Sequence, residues 1–231
     1  MLGLQPAELE ALWLSVQVST WATLLAALPA VALGWLLARR EFPGRLLVEA
    51  VVYLPLVVTP VVVGYALLLL VGRQGLLAPL LDSLGLELAF DFKGAVLAAA
   101  VIALPLIVRS ARTAIELVDP RLEEAAAVLG AGPWRRLATV TLPLAAPGLV
   151  AGLVLGFARS LGEFGATITL AGNIAGETRT LPLAIHNATQ IPGGEGAALR
   201  LTLLSIALSL AALAASELFL RRLRRKAADL A

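Results

Sequence analysis

The sequence predicts an all-α membrane protein with five transmembrane helices and a helical loop on one face. Three observations carry this expectation. Of 231 residues, 59% are hydrophobic and only 15% charged, and the mean hydropathy is +0.90. Soluble domains carry about 25% charged residues, so a soluble exterior here would be largely Leu, Ala and Val. Long stretches contain no charge, and the 18 Lys and Arg are divided unevenly between the connections. A soluble enzyme is excluded.

The residues missing from the chain narrow its chemistry further. Cysteine is absent, which removes disulfides, thiolate metal sites and cysteine nucleophiles. A single histidine, His186, argues against a zinc or di-metal hydrolase. No catalytic residue, metal site or cofactor is expected, and His186 reads as a solvated or docking-surface residue.

A bilayer core of about 30 Å takes roughly 20 helical residues to cross. Residues 11–38 are free of charge and form the first span. Trp13 and Trp35 would lie ~33 Å apart along that helix, which suits two interfacial belts. The run is too long for a signal-peptide core, and no Lys or Arg precedes it. Residues 48–72 form the second span, kinked by Pro55 and Pro60. The third span, 93–115, carries Pro105 and reaches full length if Arg109 and Arg112 extend to the headgroups.

Pro143 opens the fourth span, 143–162. The fifth is 200–220, with Arg200 and Glu217 near its ends. Residues 163–199 are left as an outer re-entrant or loop region. Within it 164–176 is apolar but too short to cross as a helix, and broken backbone at membrane depth survives only beside protein or a water-filled cavity. Small-residue runs at Ala98–Ala100 and Ala211–Ala215 suit close helix approach, within one chain or across a dimer.

Thirteen of the 18 Lys and Arg lie in the connections after spans one and three and after span five. The basic side is expected to be cytoplasmic, which puts the N-terminus outside and the C-terminus inside. That arrangement needs an odd number of crossings, in agreement with five. The closing basic run, Arg221–Lys226, reads as an anchor on anionic lipid.

The connection between spans three and four carries the strongest signal. Asp119 followed by Pro120 is a helix start, an N-cap acceptor before a residue with no N–H to satisfy. A short helix over 120–129 is stopped by Gly130 and Gly132, and Pro133 opens a second one with Trp134, Arg135 and Arg136. Such a pair suits a compact docking knob, and it equally suits an amphipathic loop held on headgroups.

The residues EAAAVLG (124–130), followed nine residues later by VTLP (140–143), resemble the EAA loop of ABC importer permeases. Val140 stands where that pattern has Ile. The resemblance implies a type I ABC importer permease fold, five transmembrane helices plus cytoplasmic coupling helices at 120–139. It implies that Glu124, Ala125, Ala126, Gly130, Leu142 and Pro143 belong to the surface that couples to a separate ATPase. The chain has no G-x-x-x-x-G-K-[ST] phosphate loop, so ATP must be handled by a partner.

Residues 157–196 (FARSLGEFGATITLAGNIAGETRTLPLAIHNATQIPGGEG) resemble the molybdate branch of these permeases. The segment Arg159–Gly165 is shared in pattern with sulfate and thiosulfate permeases. The resemblance implies a homodimer, two ATP-binding cassette ATPase subunits and an extracytoplasmic molybdate-binding protein, in the cytoplasmic membrane of a prokaryote. Nucleic acid is not a partner.

A tetrahedral oxyanion is held by hydrogen-bond donors. Arg159, Ser160, Thr167 and Thr169 supply such donors, and with Glu163 and Gly165 they are the pathway or gate candidates. Glu163 repels an anion and is spaced to pair with Arg159 at i, i+4, fixing a kink.

Other oxyanions (tungstate, sulfate or thiosulfate) are the nearest alternatives. A secondary transporter would need intramembrane ionisable residues or an internal repeat. An intramembrane hydrolase would need a nucleophile with a base. Neither set of residues is present.

Overall fold

In a computed structural model the described residues are 5–228, and every regular element among them is helical. The side chains of the expected anchor Arg221–Lys226 fall outside the described residues. The helices are α1 (Pro6–Arg39), α2 (Arg45–Val57), α3 (Pro60–Val71), α4 (Ala78–Ser83), α5 (Phe92–Glu116) and α6 (Pro120–Val128). They continue with α7 (Pro133–Arg136), α8 (Leu142–Leu161), α9 (Gly165–Leu170), α10 (Leu181–Thr189) and α11 (Glu195–Ala228). Four helical stretches are long and apolar enough to cross a bilayer: Pro6–Arg39, Phe92–Glu116, Pro133–Leu161 and Glu195–Ala215.

The expected second crossing, 48–72, is not one helix. It is α2 and α3, 13 and 12 residues long, each about 20 Å by the helical rise. Val58 and Thr59 are extended between them, with ψ of 146° and 142°. Pro60 is the cause, because a residue that precedes proline is driven out of the helical region. Pro55 lies inside α2 without breaking it.

α5 is the centre of the molecule and packs on α1, α8, α9 and α2. Its contact with α1 is built from small side chains, Ala22, Ala26 and Ala30 against Ala95, Ala99 and Ala103, all 0–3% exposed. Lipid tails are as apolar as leucine, so close backbone approach and dispersion hold such helices together. The Ala98–Ala100 run is consumed by within-chain packing, Ala99 and Ala100 in the cluster with α1 and Ala98 in the cluster with Ala166 and Leu170 of α9.

Polar ties link the far elements at one end. Glu8 of α1 pairs with Arg200 of α11 at 2.8 Å. The Ser15 hydroxyl accepts from the Leu181 amide at 2.6 Å and donates to the Ala11 carbonyl. Arg112, expected to extend to the headgroups, and Arg200 both form ion pairs within the chain. Arg112 pairs with Glu49 and Glu116, because opposite charges within 3 Å offset the desolvation that reaching outward would avoid.

The helix that carries the fourth span does not begin at Pro143. Helix runs without interruption from Pro133 to Leu161, through a π turn at Leu137–Thr141. There the Leu142 amide donates to the Leu137 carbonyl five residues back. The wider turn takes in the segment where Pro143 has no amide to give.

Candidate functional site

Two places hold the residues singled out by sequence: the projecting loop before α8, and the elbow after it. In the loop, the Asp119 carboxylate caps α6 by accepting from the Arg121 amide at 2.9 Å, and Pro120 is the first helical residue. No residue of α6 is buried. Gly130 ends the turn with φ of +83°, a conformation only glycine adopts without cost, and the space beside it is open. Glu124, Ala125 and Gly130 are exposed, and Ala126 is half-buried. Around them Leu122, Val128, Leu129 and Trp134 are 48–89% exposed. A run of large apolar side chains kept out of the core in this way marks a contact surface. Leu142 and Pro143 lie above it at the base of α8.

The loop is held by a residue that the motif does not contain. Glu123 accepts from Arg39 at 3.0 Å and from the Thr141 hydroxyl at 2.7 Å. Arg39 also donates to the Val118 carbonyl at 2.9 Å. One carboxylate therefore ties the end of α1, the first turn of α6 and the π turn together. Glu123 sits beside Glu124 in sequence, and its spacing to Arg39 is 84 residues. No local pattern could have picked it out.

At the elbow α8 stops at Leu161 and α9 starts at Gly165. Arg159 pairs with Glu163 at 2.9 Å in the expected i, i+4 relation. The other face of the Glu163 carboxylate accepts from the Ala166 amide at 2.8 Å and so caps α9. Glu163 is 2% exposed. A buried carboxylate at this bend is satisfied by a guanidinium on one side and a helix start on the other.

The elbow packs against α3 just past the break at Val58–Thr59. A β-carbon on Gly64 would stand 2.7 Å from the Ala166 carbonyl oxygen and 2.8 Å from Ala166 Cα. One on Gly165 would meet Pro60 at 3.0 Å. The two short helices cross nearly backbone to backbone.

The structure brings the pathway candidates Arg159, Ser160, Glu163, Gly165, Thr167 and Thr169 to this one bend, but the donors among them largely spend their hydrogens within the chain. The Ser160 hydroxyl donates to the Gly156 carbonyl at 3.0 Å and the Thr169 hydroxyl to the Gly165 carbonyl at 2.8 Å. Thr167 is 1% exposed. Hydroxyls on a helix find the carbonyl one turn back before any solute does. Arg159, with a side chain 32% exposed, gives Nη1 to Glu163. His186 is exposed and rests edge-on against Phe164, ring centres 5.1 Å apart.

A second basic group, read from the sequence only as a span end, lies at a cavity. Arg109 and Arg112 of α5 line a cavity of about 380 Å³ with Tyr53, Leu56 and Val57, next to the break between α2 and α3. Arg112 is neutralised by two glutamates, and Arg109 has no ion pair among the described residues.

Comparison with known proteins identifies the family. The chain is 52% identical over 221 residues to the molybdenum transport system permease protein ModB of Escherichia coli K12, covering 95% of this chain and 96% of that one. It is 38% identical over 179 residues to the sulfate transport system permease protein CysW of Synechococcus elongatus, covering 78% and 63%. Among solved structures it superposes on an inward-facing MetNI methionine ABC transporter with a TM-score of 0.73 at 17% identity, covering 94% of this chain and 96% of that one. The family model of the binding-protein-dependent transport system inner membrane component matches residues 30–225. A membrane helix bundle with an exposed two-helix loop, matched over most of its length by that model, belongs to the family of inner membrane components of binding-protein-dependent transport systems.

Proposed function

We propose that the chain is the membrane permease subunit of an ATP-driven molybdate importer. The observation that carries this reading is the 52% identity spread over 95% of the chain, which takes in the exposed loop and the elbow together. The chain performs no covalent chemistry. Two copies pair around a pathway, two ATPase subunits dock on the loop at Glu124, Ala125, Ala126 and Gly130, and a molybdate-binding protein delivers the anion to the outer face. Leu142 and Pro143 transmit the movement of the loop into α8. The crossings number five when α2 and α3 together make one.

The pathway reading follows from the elbow. Discontinuous helices in transporters stand at the solute site, where free backbone groups and helix ends face a cavity. The break before Pro60 and the bend at Gly162–Phe164 meet through Gly64 and Gly165. Arg159 supplies positive charge beside them, held by Glu163 so that the anion is attracted without being trapped. Closure of the ATPases rocks the helices as rigid bodies, and the elbow opens outward as the loop is drawn together.

Uptake into proteoliposomes tests the assignment. The permease, its ATPase and its binding protein are reconstituted with ATP inside and labelled molybdate outside. ATP-dependent uptake that excess tungstate blocks and sulfate does not is the expected result. Block by sulfate moves the substrate to sulfate, and uptake independent of ATP overturns the importer.

Orientation has its own test. Gln190 and Arg121 are both exposed. In intact cells a cysteine at Gln190→Cys will react with an impermeant thiol reagent, whereas one at Arg121→Cys will react only after the membrane is opened. The reverse pattern would overturn an N-terminus outside and a C-terminus inside.

A further inference from the structure

The end of α1 and the α7–π-turn segment enclose a cavity of about 190 Å³, lined by Trp35, Arg39, Arg40, Glu123, Arg136 and Thr141 among others. Its electrostatics do not balance. Three guanidinium groups face one carboxylate, and that carboxylate already serves Arg39 and Thr141. Arg40 stacks over Trp35, its guanidinium carbon 5.9 Å from the ring centre. Two buried donors, Arg39 Nε and Arg136 Nε, have no hydrogen-bond partner. Buried polar groups left unmet are rare, because each forfeits the hydration it had in water. Two of them around one cavity, both cationic and both N–H donors, describe the missing group: an anion with at least two acceptor oxygens.

The location narrows the anion's class. Arg39 and Arg40 follow directly on the charge-free run 11–38, with Trp35 one turn earlier. Aromatic rings and arginines at the end of a spanning helix sit at the level of the headgroups. Forked guanidinium donors match a phosphate group, taking two of its oxygens at once.

We propose that this cavity binds a phosphate group, the headgroup of an anionic phospholipid or a free phosphate ion. Bound there, beside Glu123, it ties α1 to the base of the projecting loop. The exposed face of the loop at Leu122, Val128 and Leu129 stays clear for a protein partner.

The test uses the full chain, purified and delipidated in a neutral detergent, with thermal unfolding as the readout. Phosphatidylglycerol is expected to raise the unfolding midpoint by about 5 °C when saturating, and phosphatidylcholine to leave it unchanged. A rise with inorganic phosphate as well assigns the site to the phosphate group from either source. A rise with phosphatidylglycerol alone assigns it to lipid.

Arg136→Gln should weaken the phosphatidylglycerol effect about tenfold in concentration. Without lipid the same variant should be no less stable than the parent, since it removes a guanidinium whose buried Nε has no partner. Arg40→Gln, on an exposed side chain, gives the same weakening where Arg136→Gln fails to fold. No rise with either phosphate source overturns the site, as does a rise that both variants retain. A loss confined to ATPase assembly, with the lipid response intact, also overturns it and gives the arginines to a protein carboxylate.

Discussion

Gly64→Ala lowers the unfolding midpoint of the purified chain by about 4–10 °C and cuts molybdate uptake at least about tenfold. Two effects of opposite sign meet at this position. An alanine in the middle of α3 would ordinarily stabilise the helix by about 1 kcal/mol. Its β-carbon, however, would stand 2.7 Å from a backbone oxygen and 2.8 Å from a backbone α-carbon of Ala166. Backbone cannot swing aside as a side chain does, so α9 must move bodily. Overpacking of this kind costs about 1–3 kcal/mol, more where main chain is struck, and each kcal/mol is worth about 2–4 °C at this chain length.

The clash therefore decides the sign. The moved helix is the one capped by Glu163 and linked through it to Arg159, which is why transport falls with stability. Gly165→Ala, facing Pro60 and Val61 at 3.0–3.1 Å, should show a smaller loss. Gly132→Ala, with φ of −66° and nothing within 4 Å, should show none. Equal midpoints for Gly64→Ala and Gly132→Ala would overturn the backbone-to-backbone crossing.

The legible parts of this fold are those where one physical effect acts alone. A long apolar run without charge has only a membrane helix to become, so α1, α5 and the apolar N-terminal part of α11 were readable. Asp119–Pro120 and Gly130 are local signals, and each is met: the cap accepts from Arg121 and the glycine takes a positive φ. Arg159 and Glu163 were within one helical turn, so their pairing needed no knowledge of the fold.

The illegible parts are those where competitors were equal until tertiary contacts chose. Pro55 and Pro60 offered the same break to the second crossing, and only the one before Pro60 was taken. α9 and α10, of 6 and 9 residues, are too short to be stable by propensity and exist because neighbouring helices bury them. Ser160 and Thr169 looked like donors for a solute, but their own helix carbonyls stand closer. Glu123 and Glu124 are about 100° apart on one helix, and a partner 84 residues away decides which of them faces inward.

That last distinction separates two phenotypes, and Glu123→Ala is the variant that shows it. The substitution removes the carboxylate facing Arg39, whose side chain is 16% exposed and keeps only the Val118 carbonyl, and leaves the Thr141 hydroxyl without its acceptor. Leaving such groups unmet costs about 1–3 kcal/mol, too little to unfold the chain and enough to free the base of the loop from α1. The proposed docking surface at Glu124, Ala125, Ala126 and Gly130 keeps its composition and its exposure, so the ATPase should still co-purify in normal yield. What should fall, by about tenfold for 1.4 kcal/mol, is the molybdate transported per ATP hydrolysed, because a loop no longer fixed to α1 and the π turn absorbs the movement it ought to pass on.

Gly130→Glu should do the opposite. It puts a charged side chain and a disfavoured φ at the tip of the knob, so the ATPase is lost and the membrane chain remains. Glu123→Gln, which keeps an acceptor for Thr141 but drops the charge facing Arg39, should fall between Glu123→Ala and the parent. Unchanged transport per ATP in Glu123→Ala would remove Glu123 from the coupling path. Loss of the ATPase in that variant would instead make it part of the docking surface, indistinguishable in role from Glu124.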